Sequence, residues 1–390
     1  MTAPTQLPFI PAHPLDLPHN LAALQSSGPM HRVMTPGGDE AWYVTGYHLL
    51  RQLFDEPRLG RTHPTPETAA RGSASVFLSP LGGFETEAQD HARARQLMTP
   101  HFAPRHLKTL SAMVDRVAAE AIDTLQEHGQ PADLQEHVAE PVPIVVICEL
   151  LGVPFEDREQ FCAWVADVGS VSDRVRSETG LMELLNYGMG LVARKRTHPA
   201  DDVISRLCAT DGVDDFEVAN ISMQLLFAGH ETTVVTIGLG ALQLLSQRDQ
   251  WQALVDHPER MPRAVEEILR AGQPGGLALP RWAKEDFEIE GVTITRGELV
   301  MLDITSANHD PAAFNDPLRI DIERKENMHV TFGYGPRYCV GAALARMELK
   351  AVFGQLVSKL PTLRLAVEPE QVGVRTDAIA SGVDVLPVSW

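Results

Sequence analysis

One segment limits what this chain can become. From Asp214 to about Ser246 the sequence is apolar almost without a break, and Asp214 followed by Glu217 reads as a capping box at its start. As one helix it is roughly 50 Å long at ~1.5 Å per residue, enough to cross a whole domain. A helix apolar all round has to be buried, in protein or in lipid. His230 and Glu231 interrupt the run, and ionisable groups inside hydrocarbon are costly, so a protein interior is the expectation.

Around that segment the chain reads as mainly α with small β-sheets. His106 to His128 places Leu107, Leu110, Val114, Val117, Ala121, Ile122 and Leu125 on one face, and Gly129 supplies a stop. Pro141 to Leu151 reads as a shorter apolar stretch ending near Gly152-Val153-Pro154, and Ala342 to Leu356 as a further helix. Glu40 to Thr45 reads as a strand, and Phe287 to Ile294 with Glu298 to Leu302, joined by Thr295 to Gly297, as a hairpin. Strands in small groups are not the βαβ alternation of a doubly wound sheet. Residues 62–87 and 168–194 read as long, mobile loops. No linker divides the chain, so residues 1–390 are expected to form one large domain, with its first ~20 residues an extended lead-in.

Charge and cysteine usage remove several classes of function. Lys and Arg number 33 against 52 Asp and Glu, a net charge of −19. That argues against binding nucleic acid, where phosphates must be neutralised, and against a surface held to anionic lipid. Cys148, Cys162, Cys208 and Cys339 are far apart in sequence. They suggest neither a disulfide framework nor a zinc pair. The N-terminal residues contain no apolar run of the signal-peptide or anchor kind, so a cytoplasmic location is expected.

Residues 329–341 read HVTFGYGPRYCVG. Phe332, Gly333, Gly335, Arg337, Cys339 and Gly341 match the signature FGxGxRxCxG, and here the chain resembles the cytochrome P-450 family of haem-thiolate monooxygenases. Gly333 and Gly335 allow tight turns where a side chain would collide with a flat macrocycle, and Gly341 lets the next helix start close to it. A lone cysteine is ordinarily a small buried hydrophobe. Six matches within ten residues outweigh that alternative. The resemblance makes haem b the cofactor and Cys339 the thiolate ligand of its iron.

Three further stretches match the family in its order. Ala228-Gly229-His230-Glu231-Thr232-Thr233 resembles AGxxT, with Gly229 permitting a local widening of the helix. By resemblance, Glu231 and Thr232 are the acid–alcohol pair that relays protons to dioxygen. Glu267-Ile268-Leu269-Arg270 resembles ExxR, whose i,i+3 spacing brings the two charges to one helix face. Glu266 is an equally good partner for Arg270 on spacing alone. The family adds a later arginine, and Arg319 in Pro317-Leu318-Arg319-Ile320 fits that place, giving Glu267, Arg270 and Arg319 a structural role. His91 and Arg95 resemble HxxxR, and with Arg281 and Arg337 they are the implied donors to the haem propionates. Glu87-Ala88-Gln89-Asp90 stands where Asp-Pro-Pro is usual, which predicts a differently shaped entry to that helix.

The resemblance implies insertion of one oxygen atom of dioxygen into an apolar small molecule: a terpenoid, steroid, macrolide or other secondary metabolite. Val76, Phe77, Leu225, Ala228, Leu277, Ala278, Leu279 and Ile379 are the implied pocket walls. Electrons are expected from a separate ferredoxin and ferredoxin reductase. A basic patch of Arg105, His106, Lys108, Arg346 and Lys350 on the cysteine side is suited to steer an acidic ferredoxin. A monomer without a membrane anchor is expected. The alternatives are a hydrogen-peroxide-driven peroxygenase, which lacks such an acid–alcohol pair, and a non-catalytic haem-binding sensor or carrier.

Overall fold

The long apolar segment is one helix, Asp215–Ser246, in a computed structural model that describes residues 5–7, 13–272 and 278–390. Asp214 caps it by accepting the Glu217 N–H at 2.8 Å. The reciprocal half of the capping box is not made, because the Glu217 carboxylate pairs with Arg93 instead. The helices Pro141–Leu151, Arg174–Thr197 and Met261–Ala271 pack around the long helix and share one apolar cluster with it. Among the described residues it is also the one helix long and apolar enough to cross a membrane. Its most apolar window is 78% buried inside the protein, so the protein interior already supplies the apolar surroundings it needs.

The helix Pro104–His128 follows the expected face, with Val114, Ile122 and Leu125 fully buried. It lies along Ala342–Lys359, the helix that follows the cysteine loop. The largest sheet has six strands in the order Thr5–Gln6, Met30–Met34, Glu40–Val44, Leu299–Asp303, Ala278–Ala283 and Leu59–Gly60.

Two expectations are corrected. The hairpin is Phe287–Ile289 with Val292–Ile294, turned by Glu290 (φ +49°) and Gly291 (φ +72°). Two consecutive left-handed residues make the tight turn that matches strand twist. Leu299–Asp303 is thereby freed to pair with Glu40–Val44 and Ala278–Ala283 in the main sheet. Residues 168–194 are not a mobile loop: helix Arg158–Gly169 ends there, only 170–173 connect, and helix Arg174–Thr197 begins. Gly180 hid that helix from the sequence, yet close packing requires it, since a Cβ there would meet the Val168 nitrogen at 2.9 Å. The helix His19–Ser27 begins where the expected lead-in ends.

Candidate haem and oxygen site

The cysteine loop is shaped by backbone geometry. Gly333 and Gly335 have φ of +72° and +69°, where a side chain is strained. A Cβ on Gly335 would also stand 2.8 Å from Asp55 Oδ1. The Cys339 N–H donates to Phe332 O at 2.8 Å, closing the loop. Burial pushes the Cys339 thiol up; the N–H groups of Gly341 and Ala342, with Arg95 and Arg346, pull it back. The side chain is at once solvent-accessible and strongly desolvated. Two N–H donors at a helix start favour a thiolate there.

A set of cations crowds around one carboxylate. His91 lies in the fields of Arg337, Arg95 and Arg281, with Glu87 as its opposing acid. Arg281 is buried and donates to Pro280 O at 2.9 Å, and no carboxylate lies within ion-pair distance of it among the described residues. Burial, then Arg61 and Arg337, hold its guanidinium far below the usual range. Burial and Arg337 push Arg61 down to about 10. Arg95 donates to Tyr338 O at 2.8 Å, beside the cysteine. So much desolvated positive charge calls for a bound anion. The donor set therefore fits a flat group carrying two carboxylates, and the thiol fits a metal at its centre. Arg61 was not identified from sequence, because Arg61-Thr62 carries no spacing signature.

Glu87 explains the altered helix entry. It is the first residue of helix Glu87–Met98 and is buried. It accepts from the Arg61 N–H and the Thr62 hydroxyl at 2.6 Å, lies 2.8 Å from Lys284 Nζ, and pairs with Arg337.

The two candidate partners of Arg270 separate cleanly. Arg270 donates to Glu267 Oε2 at 2.9 Å and Oε1 at 2.7 Å, with both side chains fully buried. Glu266 instead binds Arg346 and His329, which takes the Arg346 guanidinium out of the expected basic patch. Arg319 is a second correction. Its side chain is 58% exposed, and it contributes only its carbonyl, which Arg270 reaches at 3.2 Å. The guanidinium that meets Glu267 belongs to Arg324, with Nε 3.1 and 3.0 Å from the two carboxylate oxygens. Arg270 also donates to the carbonyls of Asn308 and Pro317, while Thr331 donates to Leu269 O, tying this helix to the segment leading into the cysteine loop.

On the long helix, the burial pattern breaks at Gln224, Ala228 and Thr232, spaced i, i+4, i+8: the first two are exposed and Thr232 is half-buried. One stripe of a buried helix thus faces open space. The Thr232 hydroxyl donates to Ala228 O at 2.8 Å. The helix stays α-helical through Gly229, so no local widening is present. Gly229 instead allows close packing of the two helices: a Cβ there would stand 3.0 Å from Ile147 Cδ1. Glu231, about 100° round the helix from Thr232, is buried and lies 3.8 Å from Arg375. Burial pushes its carboxyl up to about 7, against the pull of Arg375.

The expected pocket walls divide. A cavity of about 630 Å³ has Ala278 and Ile379 in its lining, with Val171, Ser172 and Thr376, whereas Ala228, Thr232 and Cys339 are not part of that lining. Val76 and Leu225 are instead buried, apolar groups satisfied within the core. Phe77 stacks on Phe227 at 4.2 Å, joining the 3-10 turn Val76–Leu78 to the long helix. Leu279 packs against the apolar cluster under the main sheet. Leu277 lies outside the described residues.

Comparison with known proteins gives a consistent neighbourhood. The Cytochrome P-450 family profile matches residues 192–371. Pentalenolactone synthase of Streptomyces exfoliatus is 37% identical over 99% of each chain. Mycinamicin IV hydroxylase/epoxidase of Micromonospora griseorubida is 34% identical, again over 99% of each. Among solved structures, CYP105P1 in complex with filipin I superposes with a TM-score of 0.92 at 35% identity, covering 100% of this chain and 99% of that one. The substrate-free pimaricin epoxidase PimD gives 0.88 at 37% identity, with full coverage of both.

Proposed function

The chain belongs to the cytochrome P-450 family, and from that premise we propose that it is a tailoring monooxygenase for an apolar secondary metabolite, with Cys339 as the ligand of its haem. The protein is a haem-binding monooxygenase. The observation that carries the inference is Cys339, on a loop turned by Gly333 and Gly335 and with the N–H groups of Gly341 and Ala342 directed at its sulfur. When bound, the haem supplies the activation of dioxygen, which no side chain provides.

The chain's own residues hold, orient and supply protons. His91, Arg95, Arg281 and Arg337, with Arg61, hold the two carboxylates of the cofactor and so relieve their own mutual repulsion. Glu267, Arg270 and Arg324 fix the backbone that presents the cysteine loop. Thr232 offers a hydroxyl whose proton is replaced from Glu231, a carboxyl poised near neutrality and therefore able both to give and to take a proton. Residues 1–390 act as one domain.

Relatives named for pentalenolactone, mycinamicin IV and vitamin D3 support a polycyclic or macrocyclic substrate. Electrons come from a separate ferredoxin and its reductase, guided by Arg105, Lys108 and Lys350 on two packed helices. The enzyme works as a cytoplasmic monomer. Screening macrolides, terpenoids and steroids for a shift of the haem spin state, then for ferredoxin-dependent hydroxylation or epoxidation, tests this reading. Turnover with hydrogen peroxide but not with ferredoxin would replace it by the peroxygenase alternative.

A further inference from the structure

Glu231 sits where three segments meet. Its carboxylate is buried on the long helix, with Arg375 Nη2 3.8 Å from Oε1. Gly169, the last residue of helix Arg158–Gly169, lies directly against it, since a Cβ there would stand 3.4 Å from Glu231 Oε2. The next residues, 170–173, form the short connection to helix Arg174–Thr197, and Asp377 binds that connection. Its Oδ1 accepts from the N–H groups of Val171 and Ser172 at 3.1 Å and from the Ser172 hydroxyl at 2.8 Å. The Ser170 hydroxyl reaches Oδ2 at 3.2 Å, and Arg176 lies 3.7 Å away.

Arg375 ends one strand of a small hairpin, in which Val374–Arg375 pairs with Gly382–Val383, and Asp377 follows two residues later in the bend between the strands. One residue reaches inward to Glu231 and the other outward to the connection. Both partners also line the 630 Å³ cavity, the connection through Val171 and Ser172, the hairpin through Thr376 and Ile379. A ligand that enters by parting these two walls must break the Asp377 bonds and release the arm that carries Arg375. The Arg375 grip is itself light: its Nε is buried without a hydrogen-bond partner.

We propose that Arg375 and Asp377 are positioning residues that make proton delivery through Glu231 conditional on closure of the 170–173 connection over the cavity. The inference rests on reading Glu231 as the relay acid. With the Asp377 clasp shut, Arg375 is held beside the carboxyl and favours its ionised form, so the proton is given up. With the clasp open, the cation leaves, burial dominates, and Glu231 keeps its proton. Protons then flow only after the cavity has closed on its contents. The other charged groups around the junction are Glu140, which lies in the fields of Arg375, Asp133, Glu136 and Asp384, His230 on the long helix itself, and Asp167, which pairs with Arg176.

The test is pH-difference infrared spectroscopy of the oxidised holoenzyme, without turnover. The C=O band of the Glu231 carboxyl is identified by its loss in Glu231→Gln. Arg375→Gln is expected to move the midpoint of that band to higher pH. Asp377→Ala is expected to move it the same way although it touches neither group, and Ser172→Ala to move it less. A midpoint unchanged in Asp377→Ala but raised in Arg375→Gln overturns the coupling. A midpoint unchanged in Arg375→Gln overturns the role of Arg375. The relay reading fails separately, if Glu231→Gln leaves the ratio of product to electrons consumed unaltered while the midpoints still move in the other variants.

Discussion

Arg324 Nε lies 3.0 Å from Glu267 Oε2, and Arg270 holds the same carboxylate from within its own helix. Glu267 is fully buried, so the single acid is compensated by two guanidinium groups, one local and one 57 residues away. This arrangement converts an i,i+3 pair, worth little on a surface, into a junction between the helix Met261–Ala271 and the chain that leads into the cysteine loop.

Replacing Arg324 with Ala therefore leaves a buried carboxylate short of a partner. It should cost on the order of 3 kcal/mol of folding stability and should loosen the haem, whereas Arg319→Ala should change stability by about 0.5 kcal/mol or less. Denaturant midpoints for the two variants check this, and equal losses would contradict it.

Glu231 sets a pH dependence of stability. Its carboxyl is pushed from 4.5 up to about 7 in the fold, so the folded state prefers the protonated form. The preference is fully present below about 4.5, is lost as pH rises through 7, and leaves a buried charge above that. Glu231→Gln should match the wild type at pH 4 and be more stable at pH 8 by about 3 kcal/mol, since each tenfold change in proton affinity is worth ~1.4 kcal/mol. Thermal unfolding at the two pH values measures the difference; a variant less stable at pH 8 would contradict the assignment.

Arg281 predicts opposite effects on two quantities. It is buried among other cations without a carboxylate at ion-pair distance among the described residues. Arg281→Leu should stabilise the haem-free protein, because an uncompensated charge is removed. The same change should weaken haem retention by removing a donor to the propionates. Urea midpoints of the apoprotein and the rate of haem transfer to apomyoglobin report the two effects. A destabilised apoprotein with unchanged haem retention would make Arg281 a structural residue only.

Thr232→Ala removes the hydroxyl that now donates to Ala228 O. Consumption of reduced nicotinamide should persist while product falls and hydrogen peroxide rises. Unchanged coupling would leave Thr232 outside the proton path.

Much of this was legible in the sequence where a requirement is local. The long helix, its Asp214 cap and the apolar face of the helix Pro104–His128 follow from patterns within one segment. The cysteine loop is legible for the same reason, because glycines are needed at fixed offsets. What escaped were partners chosen by the tertiary fold. Arg319 and Arg324 are five residues apart and chemically identical, and only the path of the chain decides which reaches Glu267. The partner of Leu299–Asp303 was likewise undecidable locally, since Glu290-Gly291 competes with Thr295 to Gly297 for the turn. Arg61 and Arg375 come from segments with no signature, and they matter because of what burial places beside them.

The most direct measurement is the carbon monoxide difference spectrum of the dithionite-reduced protein, taken for the wild type and for Cys339→Ala. The wild type should show the red-shifted Soret band of a thiolate-ligated haem, and the variant should lose it. A wild-type band at the position of a histidine- or thiol-ligated haem, or a thiolate band that survives in Cys339→Ala, would contradict the assignment of Cys339 as the ligand.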